Sequence, residues 1–137
     1  MKVRLYNQFN NSKYHPILSL KCAISGLFLA FKNERNLVVQ LVIGISSFVF
    51  NILFEQYILA IANLVFMAVV ISFEIINTVV ENLCDLVDIN FNLKIKVIKD
   101  MSAGAVLMIA LVWLLILILG LTKVVLRVFF GFNFDFV

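Results

Sequence analysis

Residues 57–88 constrain this chain more than any other stretch. Tyr57–Phe73 carries no charge, and then Glu74, Asn77, Thr78, Glu81, Asp85 and Asp88 arrive at spacings of 3, 1, 3, 4 and 3. At ~100° per residue on a helix, these six fall within a stripe roughly ~100° wide. The opposite face holds Ile75, Ile76, Val79, Val80, Leu83 and Val87. The pattern predicts a membrane helix that leaves the bilayer with a line of carboxylates along one side. An ionised carboxylate near the bilayer centre costs ~2.5–3.5 kcal/mol or more, so such groups face protein or water and usually mark function. The plainer reading leaves Glu74 alone at depth and makes the rest a solvated helix end.

The rest of the sequence fits a membrane protein. Of its 137 residues, 64% are hydrophobic and the mean hydropathy is +1.09, against ~45–50% apolar residues in an ordinary soluble domain. A net charge of +3 gives nucleic-acid binding no support. Cys22 and Cys84 lie on different segments, so neither a disulfide framework nor a zinc site is indicated.

In chain order, residues 1–16 are polar, with no apolar run behind them that would make a cleaved signal peptide. His15-Pro16 marks a helix start. The stripe Ile17, Leu20, Ile24, Leu27, Phe28 and Phe31 predicts an amphipathic helix over 17–35, lying in the membrane interface. The polar break Asn33-Glu34-Arg35-Asn36 precedes a first span over 37–54, which Gln40 and Asn51 interrupt mildly. Glu55-Gln56 is a tight turn into a second span over 57–80, whose helix continues to Asp88. A break at Asn90-Phe91-Asn92 leads through a lysine-rich segment to a third span over 103–121. That span opens with Ala103-Gly104-Ala105, small residues that let helices approach closely. Trp113 lies mid-span as a packing residue, and a Phe-rich tail fills 122–137. The fold class is therefore all-α integral membrane: three transmembrane helices behind an N-terminal interfacial helix.

Orientation follows from the basic residues. Lys2, Arg4, Lys13, Lys21, Lys32 and Arg35 precede the first span, and Lys94, Lys96 and Lys99 lie between the second and third. Only Lys123 and Arg127 lie on the other side, so the N-terminus and the 82–102 segment are expected in the cytoplasm. Glu34, the acidic stripe and Lys99-Asp100 then gather on the side that contains ATP. Mg²⁺ favours one or two carboxylates plus phosphate oxygens, and phosphoryl transfer needs charge neutralisation, alignment and a group near the acceptor hydroxyl. No Walker A or G-x-G-x-x-G sequence occurs. On the residues alone three classes stay open: a membrane phosphotransferase, a small oligomeric channel or ion-translocating subunit with an acidic pore stripe, and an accessory protein without activity.

The combination Glu74-x-x-Asn77-Thr78-x-x-Glu81-x-x-x-Asp85 with Lys99-Asp100-x-x-Ala103-Gly104-Ala105-Val106 resembles the prokaryotic diacylglycerol kinase family, which includes undecaprenol kinases. The upstream Ala23-x-x-Gly26-Leu27-x-x-Ala30-x-x-x-Glu34-Arg35-Asn36 is similar to that family's N-terminal motif. The resemblance spans roughly residues 19–121. It implies a homotrimer and transfer of the ATP γ-phosphate to a lipid hydroxyl in the bacterial cell membrane, with Mg²⁺. It assigns Glu74 as the catalytic carboxylate and Glu34 and Glu81 as metal ligands that also approach the nucleotide. Lys99 and Asp100 match nucleotide-phosphate contacts, and Asn77 and Asp85 match polar residues of the same site. The Glu34-Arg35-Asn36 form resembles members that act on undecaprenol rather than diacylglycerol. The chain departs from the pattern at Cys22, where an aromatic is usual, and lacks a His-Pro in the 90–96 loop.

Overall fold

The computed structural model describes residues 16–131, except 89 and 91. The polar segment before Pro16 and the phenylalanines at 132, 134 and 136 lie outside the described residues. Within them the chain is helical throughout, as α1 (Pro16–Asn33), α2 (Arg35–Leu53), α3 (Tyr57–Val87) and α4 (Leu93–Phe130). α2, α3 and α4 are long and apolar enough to cross a membrane. Two compact units divide at Arg35/Asn36.

The first unit contains α1. Pro16, which lacks an N–H to leave unpaired, opens it. Glu34 closes it by donating its backbone N–H to the Ala30 carbonyl at 2.9 Å. The expected apolar stripe is unburied along much of its length: Ile17, Leu20, Ile24, Leu27 and Phe28 are all exposed, and α1 buries no residue.

The second unit is built from α2, α3 and α4. α2 turns into α3 through a helix stop made without glycine. Glu55 takes a left-handed backbone (φ 60°), its N–H bonds the Ile52 carbonyl at 3.1 Å, and the Gln56 N–H bonds the Asn51 carbonyl at 2.8 Å. These two bonds satisfy carbonyls that the helix end would otherwise orphan. Arg127 braces the turn from α4, donating to the Phe54 carbonyl at 3.3 Å and pairing with Glu55 at 3.7 Å.

α3 runs for 31 residues, about 46 Å at the ~1.5 Å rise per residue, well beyond a ~30 Å hydrocarbon core. It ends at Asp88, whose carboxylate accepts the Asn90 backbone N–H at 2.9 Å. α4 starts under an Asn92 cap that accepts the Lys94 N–H at 3.0 Å. The span expected over 103–121 is the middle of this 38-residue helix. The lysine-rich segment before it and the first nine residues of the tail after it continue the same helix. Charges mark where a helix leaves lipid, but Lys and Arg are good helix formers and do not stop it.

α3 packs along α4, and a buried polar chain joins all three helices. Asn63 on α3 donates to the Gly44 carbonyl on α2 at 2.9 Å and accepts the Trp113 indole N–H from α4 at 2.9 Å. Asn63 is fully buried and Trp113 is 5% exposed. Gly44 has no side chain because Met67 occupies the space a Cβ would need, with Trp113 Cζ2 3.2 Å away. Toward the α2–α3 turn, buried Asn51 donates to the Ser47 carbonyl at 2.8 Å. Its carbonyl oxygen faces Gly120, where a Cβ would come within 2.8 Å.

Candidate active site

The polar face of α3 forms three successive pairs, each half-buried or exposed. First along the helix is Glu74, whose Oε1 accepts the Asn36 side-chain amide from the first turn of α2 at 3.0 Å. Two turns on, Glu81 Oε1 accepts the Asn77 amide at 3.0 Å, a contact between successive turns of one helix. The Asn77 carbonyl oxygen is buried with no hydrogen-bond partner. Nearest the helix end, Lys99 of α4 donates to Asp85 Oδ1 at 2.6 Å. Asp88 closes the row, and the Asn90 backbone N–H together with the Asn92 and Asn90 side-chain amides holds its carboxyl below the ordinary carboxylate range.

The structure therefore brings together Glu74 with Asn36, Asn77 with Glu81, and Asp85 with Lys99. It does not pair Lys99 with Glu81, the plain ion pair that the sequence also permits. Asp100 is exposed and makes no hydrogen bond or ion pair among the described residues. Glu34 belongs to the first unit, is half-buried, and is likewise in no ion pair among the described residues. Asn36 was visible in the sequence beside Glu34-Arg35, but nothing there signalled that its amide meets a carboxylate on another helix.

Two side chains bear on metal and nucleotide. Glu81 keeps its second carboxylate oxygen free of protein partners among the described residues, and Asn77, whose amide meets the first, has a buried carbonyl oxygen with no hydrogen-bond partner. No group of three or more His, Cys, Asp or Glu side chains converges among the described residues. That donor set suits an ion such as Mg²⁺, which takes one or two carboxylates and completes its shell with water and phosphate oxygens, better than an all-protein cage.

These features define a small helical protein with three helices long and apolar enough to cross a membrane, and with carboxylates and a lysine along one helix face. The sequence matches the prokaryotic diacylglycerol kinase family over residues 21–121, most of the chain. The protein belongs to that family, and hence to the membrane lipid kinases, which are transferases. No match was found among curated proteins or among solved structures.

Proposed function

We propose that the protein transfers the γ-phosphate of ATP to the hydroxyl of a membrane lipid, with Glu74 as the base. The observation that carries this reading is the separation of groups along α3. Glu74 is tethered through one oxygen only, while Glu81 and the Asp85–Lys99 pair lie ~10–17 Å further along the helix at ~1.5 Å per residue. A hydroxyl arriving from the bilayer meets the first; a nucleotide arriving from water meets the others.

In the transfer, the lipid oxygen bonds to the γ-phosphorus, the bond from phosphorus to the β–γ bridging oxygen breaks, and ADP leaves with that electron pair. The hydroxyl proton passes to the free oxygen of Glu74. Lys99, exchanging Asp85 for phosphate oxygens, neutralises charge on the nucleotide, and Asn77, Asp85 and Asp100 line its site. Glu34 and Glu81 would hold Mg²⁺, which orients the phosphates and spreads their charge.

The same reading puts the N-terminus and this site on the cytoplasmic face, lays α1 in the interface, and assembles the chain as a homotrimer with sites between subunits. One chain of three helices cannot shield the whole polar stripe. Undecaprenol is favoured over diacylglycerol as acceptor by the Glu34-Arg35-Asn36 form. A channel is not favoured, since membership of a kinase family gives Lys99-Asp100 a role that a pore does not.

The test is Glu74→Gln, which keeps shape and removes the base. Turnover collapses while KM for Mg·ATP changes little. A sharp rise in KM with near-normal turnover contradicts the assignment.

A further inference from the structure

Among the described residues, Glu74 has one hydrogen-bond partner, the Asn36 amide, and no ion pair reaches it. Asn36 sits in the first turn of α2, where the free N–H groups and helix dipole favour a nearby negative charge. A glutamate has three rotatable side-chain bonds, and an untethered one spends much of its time in rotamers that point away from a substrate.

We propose that Asn36 is a positioning residue for the reaction: its side-chain amide fixes Glu74 through Oε1 and thereby aims Oε2 at the lipid hydroxyl. This inference rests on the assignment of Glu74 as the base. The amide gives up no proton and touches no substrate; it acts through Glu74. It also stays compatible with both states of the base, because Oε1 can accept the amide N–H whether Oε2 is bare or has taken the hydroxyl proton.

The experiment compares wild type with Asn36→Ala, Asn36→Gln, Glu74→Asp, Glu74→Gln and the double variant Glu74→Asp/Asn36→Gln. All are purified in detergent and checked for helicity and assembly. Rates are measured with ATP and a lipid alcohol in mixed micelles. Asn36→Ala is expected to lower kcat by roughly 10- to 100-fold, the scale of losing near-attack alignment, with KM for Mg·ATP within about twofold. The decisive readout is reach. Glu74→Asp pulls the carboxylate back by one methylene, and Asn36→Gln extends the amide by one. Asn36→Gln is expected to slow the enzyme that has Glu74 but to speed the Glu74→Asp enzyme by about fivefold or more. A residue that merely packs helices would not reverse sign in this way. If Glu74→Gln abolishes turnover while Asn36→Ala turns over like wild type, or if Asn36→Gln harms both backgrounds equally, the positioning role is overturned and the base stands. If Glu74→Gln turns over normally, the base assignment falls and the positioning role falls with it.

Discussion

Replacing Asn63 by Leu tests the packing of the second unit at its most specific point. Asn63 has no exposed surface, and its side chain ties α2 to α4 through the Gly44 carbonyl and the Trp113 indole. The Gly44 carbonyl lies inside α2 and keeps its own helical bond, so losing the amide donor costs it little. The Trp113 N–H, 5% exposed as a residue, loses its one partner among the described residues, and an orphaned buried donor costs ~1–3 kcal/mol. Measured interhelical bonds in membranes average ~0.6 kcal/mol and reach ~1.7. The expected loss for Asn63→Leu is therefore about 1–2 kcal/mol. Trp113→Phe should cost a similar amount, through lost volume and the stranded Asn63 carbonyl. The double variant strands neither group, so it should be more stable than the sum of the singles by about 1 kcal/mol. SDS-induced unfolding in mixed micelles, followed by circular dichroism because Trp113 is the only tryptophan, measures all three. Additivity within ~0.3–0.5 kcal/mol would refute the polar link between the helices.

Other outcomes follow from single contacts. Gly120→Ala places a Cβ 2.8 Å from the carbonyl of buried Asn51 and should destabilise by about 1–3 kcal/mol. Gly104→Ala meets nothing within 4 Å and should be neutral or stabilising by up to ~1 kcal/mol in the same assay. Glu81→Gln and Glu34→Gln should each raise the Mg²⁺ concentration for half-maximal rate. The double variant should be little worse than either single, as expected if both bind one ion; unchanged half-maximal Mg²⁺ would remove both from the metal site. Asp88, whose carboxyl the Asn90 backbone N–H and the Asn92 and Asn90 side-chain amides hold below its ordinary range, steadies Asn90 at neutral pH. That contribution is complete above the unfolded value and lost only as pH falls through the lower folded one. Exchange of the Asn90 amide should therefore show no Asp88-dependent loss of protection between pH 5 and 8, and should lose protection only in acid.

The helices were legible in the sequence because their signals are local. Tyr57–Val87 reads as one helix from an uncharged run joined to an acidic face of the same period. The turn at Glu55-Gln56 reads from two polar residues between apolar runs. The length of α4 did not read. Hydropathy reports the membrane boundary, and Lys94, Lys96, Lys99, Lys123 and Arg127 shift that boundary without breaking the helix. The acidic stripe was legible, but its partners were not, because pairing between helices is set by register. Lys99 could have reached several carboxylates by spacing alone, and register gives it Asp85. Asn36 lies 38 residues from Glu74. Asn63, a single uncharged amide in an apolar run, gave no sign that it would bridge Gly44 and Trp113.

The most direct test of the account is phosphoryl transfer itself. Purified protein in vesicles is given Mg²⁺ and ATP labelled in its γ-phosphate, with undecaprenol and diacylglycerol offered side by side, and the lipids are extracted and separated. The account predicts label on a lipid alcohol, more on undecaprenol than on diacylglycerol, and none when Glu74 is replaced by Gln. Folded protein that labels neither lipid would contradict it.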